Sequence, residues 1–152
     1  MTLLEIKFEL QQQCTALISA RLDRIQKTIK DLEASLKDET KCTSGDKHHT
    51  GRAMLQIERE NAGNQLREIE KVMRQLDKVD VEAFSEVVRL GSIVETNQAV
   101  FFLSISVGKL EIKDSIYLGV APNSPIGLNL LGKKEGEKFN FNGTVYKIQQ
   151  VH

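Results

Sequence analysis

Tryptophan is absent from the 152 residues, proline occurs twice, cysteine occurs twice, and neither sign of charge is in surplus. Each shortage excludes something. Cys14 and Cys42 stand far apart, with no Cys-x-x-Cys and no paired histidine spacing beside them, so neither a disulfide framework nor a zinc site is expected and a reduced, cytoplasmic setting fits. Lys and Arg number 21 against 21 Asp and Glu, and the balance holds within each half, 14 of each sign in residues 1–80 and 7 of each in 81–152. The chain therefore lacks the cationic excess that displaces counterions from nucleic acid, and direct DNA binding is disfavoured. No run approaches the roughly 20 apolar residues of a membrane span, and residues 1–7 mix charges into their apolar positions, unlike a signal peptide. There is no glycine-rich phosphate loop, no nucleophile elbow and no His-Glu-x-x-His helix, so stand-alone enzyme chemistry is not expected. What remains, with 40% hydrophobic residues, is a chain that folds.

Residues 1–44 contain neither glycine nor proline. Within them Ile18, Leu22, Ile25, Ile29, Leu32 and Leu36 recur at the alternating spacing of four and three that marks a helical seam. Ala62, Leu66, Ile69, Met73 and Leu76 repeat the spacing, with Leu55 in phase. If the two helices fold back on each other, facing residues have numbers with a constant sum. They do: Leu36 with Leu55, Ile29 with Ala62, Ile25 with Leu66, Leu22 with Ile69 and Ile18 with Met73 all add to 91. The midpoint lies between Gly45 and Asp46, inside a Gly-, Ser- and Asp-containing stretch at 41–51 that suits a turn. Leu32 opposite Arg59 and Thr15 opposite Leu76 are defects, and an Arg stem can cover apolar surface while its head stays in water. The same register sets Glu39 opposite Arg52, an ordinary ion pair. An arm of about 30 residues from Thr15 to the turn is on the order of 45 Å long. A coiled coil that pairs between chains is the competing arrangement; the internal hairpin closes the seam without a partner and predicts a monomer. Residues 1–14 run past the base of the arm, where Leu3, Leu4, Phe8 and Leu10 are placed to pack on the C-terminal half.

Past residue 80 the pattern changes to β-branched and aromatic residues at period two, which sets the domain boundary: 1–80 a helical hairpin, 81–152 a small sheet domain. Residues 87–94, 99–107 and 115–120 read as strands. Phe139-Asn140-Phe141 and Val145-Tyr146-Lys147-Ile148 flank Asn142-Gly143, the dipeptide of a two-residue hairpin turn. Residues 124–132 suit a short helix, with Ser124 as N-cap, Pro125 at the first helical position and Gly132 just past the end. The fold class expected is α+β: an antiparallel helical hairpin followed by a small antiparallel sheet with one helix.

Ser124-Pro125-Ile126-Gly127-Leu128-Asn129-Leu130-Leu131-Gly132-Lys133-Lys134-Glu135-Gly136-Glu137 resembles the C-terminal signature of the bacterial Gre transcript-cleavage factors, in which Ser-Pro-Ile begins a short helix ahead of a Gly-containing turn and a last hairpin. The order of hairpin and sheet domain is also theirs. The resemblance implies an FKBP-like C-terminal domain that docks on RNA polymerase beside its secondary channel, and a helical hairpin that reaches the active site. It implies no cofactor of the chain's own, a Mg²⁺ held jointly with the polymerase, and contact with nascent RNA only through the polymerase. Asp46 matches the first of the family's two tip carboxylates, as catalytic and metal-binding group, and His49 stands where the second acid is expected. Imidazole is a poor Mg²⁺ ligand, so cleavage of backtracked transcripts and non-cleaving occupancy of the channel are both carried forward. Ser124, Pro125, Ile126, Lys133 and Lys134 are the partner-binding candidates that the resemblance supplies. For His48, His49 and Cys42 a solvated turn competes with a soft-metal site.

An FKBP-like fold also admits a prolyl isomerase or chaperone, although fold alone confers no activity. That site needs an aromatic-lined pocket, and the aromatic residues here fall on strand positions wanted for the core.

Overall fold

The computed structural model describes the backbone of residues 1–41 and 46–152 and the side chains of residues 1–39 and 51–152. Cys42 and Gly45, and the side chains of Asp46, His48 and His49, lie outside the described residues. The fold is α+β. Two long helices, α1 (Leu3–Lys41) and α2 (Asp46–Asp77), precede strands β1 (Ile93–Thr96), β2 (Val100–Leu103), β3 (Gly108–Ile112) and β4 (Ser115–Val120), helix α3 (Pro125–Leu130), and strands β5 (Lys138–Phe141) and β6 (Thr144–Val151). The chain divides into two compact units: Ile18–Met73 is one, and Met1–Leu17 with Arg74–His152 is the other. The outer ends of both long helices are therefore grouped with the sheet, whereas the sequence pattern placed all of 1–80 with the hairpin.

In the helical unit the seam closes in the expected register. Ile25, Ile29 and Ala62 are buried in one cluster, with Leu32, Leu66 and Ile69 packed against it. Both the Ile29 with Ala62 pair and the Ile25 with Leu66 pair thus meet. Arg59, which the numbering sets opposite Leu32, turns its guanidinium to Glu33 at 3.1 Å, and Leu32 keeps its place in the apolar cluster. Farther along, the Glu39 side chain reaches α2: its carboxylate lies 3.4 Å from the point where a β-carbon on Gly51 would sit.

In the other unit six strands form one sheet in the order β3-β4-β2-β1-β6-β5. Four of the five neighbouring pairs are antiparallel and β2 runs parallel to β4, so the all-antiparallel expectation is corrected at that one pair. The expected strand at 87–94 is also corrected. Gly91, with φ of +91°, breaks extended geometry; Arg89 and Ser92 close a turn, and only a single bridge, Val87 to Lys134, precedes β1. The expected strand at 99–107 shortens to β2, because residues 104–107 turn the chain into β3, a strand absent from the expected set. In β5 and β6 the Asn142-Gly143 turn appears as expected, with φ of 52° and 80°, the positive values that turn demands.

Strand alternation separates two buried faces. Val94, Phe101, Leu103, Phe139 and Ile148 join Val88 and Leu130 of α3 in one core; the Phe139 and Tyr146 rings stack at 5.1 Å. The intervening residues Ile93 and Phe102 are buried as well, on the face that α1 covers. A cavity of about 220 Å³ there is lined by Leu3 and Ile6 of α1 together with Ile93, Val100 and Tyr117. Of the four apolar residues expected to pack from 1–14, Leu10 is fully buried, while Leu3, Leu4 and Phe8 remain partly in solvent.

α3 is set by its cap. The Ser124 hydroxyl accepts from the Gly127 N–H at 3.1 Å and donates to the Ala121 carbonyl at 2.6 Å, which brings the Ala121 carbonyl oxygen against the helix. A β-carbon on Gly127 would lie 2.0 Å from that oxygen. Gly127→Ala is therefore expected to lower stability by about 3 kcal/mol, since both colliding groups are backbone or fixed to it. A urea melt checks this; an unchanged midpoint would mean that the Ala121 carbonyl yields freely.

Candidate functional site

Two places follow from the sequence: the tip around Asp46 and the segment from Ser124 to Lys134. At the tip the backbone of α2 begins at Asp46, and the described neighbourhood is the contact of Glu39 with Gly51. Among the described residues no group of three or more His, Cys, Asp and Glu side chains comes together to hold a metal ion.

The second place is built on α3, which is six residues long, about 9 Å. Ser124 and Pro125 form its start, with Ser124 extended at φ of −73° and ψ of 160°, and Ile126 packs against the sheet core. These three residues hold the helix in place. Gly127 and Leu130 are buried on the inward side, which turns Leu128 outward at 63% exposure, with Leu131 at 38%. Lys133 and Lys134 come next in the chain. The Lys133 carbonyl accepts from the Val88 N–H at 2.9 Å, and its Nζ lies 5.6 Å from the Phe139 ring centroid. Lys134 pairs with Val87 and is exposed, whereas Lys133 is half-buried. The segment thus carries two exposed leucines at a capped helix and, next in the chain, two lysines. Leu128 and Leu131 belong to the 124–131 segment that the resemblance offers for docking, and their exposure singles them out within it.

Among the described residues Tyr117 is the aromatic side chain that lines the cavity beside α1, and the strand aromatics go to the core. Phe101, Phe102 and Phe139 are buried, and Tyr146 packs against two of them.

A third feature had no sequence signal. Lys7 on α1 is fully buried. Its Nζ donates to the Ala83 carbonyl at 3.0 Å and sits 4.1 Å from the Phe84 ring centroid. Burial first, then repulsion from Arg89, pulls its pKa down to about 8, with Asp80 opposing. Two turns along α1, Cys14 is buried with a free thiol; burial pushes its pKa up to about 11, and the Ser104 hydroxyl opposes more weakly.

These shifts have opposite signs in stability. Between about pH 8 and 10.5 the unfolded chain holds a proton on Lys7 that the folded chain has lost, so stability rises with pH across that window. Between 9.0 and about 11 the folded chain keeps the Cys14 proton that the unfolded chain loses, so stability falls. Relative to Lys7→Met, the wild type is expected to gain on the order of 2 kcal/mol in unfolding free energy as pH rises from 8 to 10.5. Denaturant melts of both proteins across this range test it, and a flat difference would exclude a depressed Lys7.

No protein-family model matches the chain, and no curated protein matches it. Among solved structures, that of the transcription factor Gfh1 is similar at 17% identity, covering 90% of this chain and 92% of that chain, with a TM-score of 0.36, a likeness too slight to decide fold or function.

Proposed function

We propose that this chain is a Gre-like regulator of transcription elongation that binds RNA polymerase and brings its helical tip, with Asp46 at the leading edge, into the secondary channel. The observation that supports the reading is the antiparallel pairing of α1 and α2 inside one chain, in the register that places Asp46 at the start of α2. A helix of 32 residues is about 48 Å long, the scale needed to carry a side chain into a deep channel. A single carboxylate is a hard oxygen donor of the kind Mg²⁺ takes, but Mg²⁺ requires several such ligands. Asp46 would complete a site whose other ligands belong to the polymerase, so the chain acts on the polymerase's centre instead of forming its own. Two metals clamp the attacking and leaving oxygens in phosphodiester hydrolysis, which is the chemistry that an added carboxylate would assist.

In this reading docking falls to Leu128 on α3 and to Leu131, Lys133 and Lys134 just past its end, with the helix positioned by Ser124, Pro125 and Ile126. The chain works as a monomer in the cytoplasm, and its contact with nascent RNA is made through the polymerase. A channel-occupying form without cleavage has its own support in the sequence, since His49 replaces an oxygen ligand with imidazole.

Stalled elongation complexes separate the two forms. If the tip supplies a ligand, the protein shortens backtracked transcripts and Asp46→Asn slows this by roughly a hundredfold or more. If it only occupies the channel, transcripts keep their length while pausing changes, and Asp46→Asn leaves the pausing effect in place. Failure to retain polymerase subunits from a bacterial lysate at low salt removes the reading altogether.

A further inference from the structure

One flank of the helical unit is open. A groove between α1 and α2 runs in two parts of about 800 and 310 Å³ that share Ile25, Thr28 and Gln65 as lining, and Ala62, the smallest residue in the seam, lines the smaller part. Its floor is apolar, formed by Ile25, Leu32, Ala62 and Ile69. Along α1 it extends from Arg21 to Leu32, on the order of 16 Å, or three turns of a helix laid beside it.

One end of the groove is cationic. Arg21, Arg24, Arg67 and Lys71 rim it, against Glu68 alone among the acids at that end. Glu68 is paired with Lys71 at 3.1 Å, and the Arg67 guanidinium is bonded to Asn64. Arg21 and Arg24 have no ion-pair partner among the described residues. Two uncompensated guanidinium groups beside an apolar trough make a surface that carboxylates and aliphatic side chains would cover together.

We propose that this groove receives an acidic amphipathic helix of a protein partner, its apolar stripe over Ala62 and its carboxylates on Arg21 and Arg24. The proposal stands apart from the polymerase reading, since it uses neither Asp46 nor α3. A single-stranded nucleic acid fits less well. Residues 18–73 contain no Phe, Tyr or Trp on which bases could stack, and a phosphate backbone gains nothing from an apolar floor.

The probe is a fluorescein-labelled helical peptide of about 14 residues with Leu at positions i, i+4 and i+7 and Glu on the flanking positions, read by anisotropy against the full chain. Saturable binding that weakens about tenfold in Arg21→Glu/Arg24→Glu, and that is lost in Ala62→Leu while the circular dichroism melt is unchanged or raised, supports the proposal. The Ala62→Leu variant fills the trough without touching charge, so it separates a seated helix from simple attraction. A peptide that binds Ala62→Leu as tightly as wild type overturns the proposal, as does a peptide with Lys in place of Glu that binds equally well. A labelled RNA oligonucleotide that binds more tightly and competes the peptide away also overturns it. So does a dimer, seen by sedimentation across dilution, that dissociates in Ala62→Leu, because the groove would then belong to a second copy of this chain.

Discussion

A narrow apolar seam is what makes two long, highly charged helices one object. Helix α1 of 39 residues and α2 of 32 carry polar residues on most of their surface, and helices of such composition gain their stability chiefly from the stripe they bury. In Ile18–Met73 the buried part of that stripe is Ile18, Ile25, Ile29 and Ala62, the last three in one cluster with the partly buried Leu32, Leu66 and Ile69. The Arg59 to Glu33 bridge is solvent-exposed and adds little. The register is held because a slip by one residue would move this small apolar set out of the seam.

The sheet unit meets a different difficulty. A domain of this size has a thin core, and a six-stranded sheet has two faces to cover. One is covered by α3 and its neighbours; the other requires the first turns of α1, which deliver Leu10 and Cys14 to the interior. Lys7 lies on that same buried stripe, one turn before Leu10. Its charge is tolerated because the Ala83 carbonyl accepts a hydrogen bond from it and the Phe84 ring takes the cation on its face. The depressed pKa of Lys7 measures how incomplete that compensation is.

Ser124 does comparable work around α3. Its hydroxyl is shared between the Gly127 N–H and the Ala121 carbonyl, and the tight approach that results leaves room for glycine alone at 127. The residues that made this segment recognisable in the sequence, Ser124, Pro125 and Ile126, therefore build the helix. Leu128 and Leu131, which stand out in solvent, are less conspicuous as letters. In the same way Ala62, which lines the smaller part of the groove on the helical unit, stands at a place where the seam spacing alone reads as filled.

Periodicity was enough to specify the helical pair, its register, the Asn142-Gly143 hairpin and the capped helix α3, because each rests on local geometry: a repeat along one helix, a turn with positive φ, a hydroxyl one turn from an N–H. The α+β class came from those elements in order. Which residues of α1 serve the sheet, the parallel pairing of β2 with β4, the strand at Gly108–Ile112, the burial of Lys7 and the open trough beside Ala62 were decided only in three dimensions. Each depends on what lies across from a residue, and a buried lysine or an unfilled trough has no spacing of its own for a linear pattern to carry.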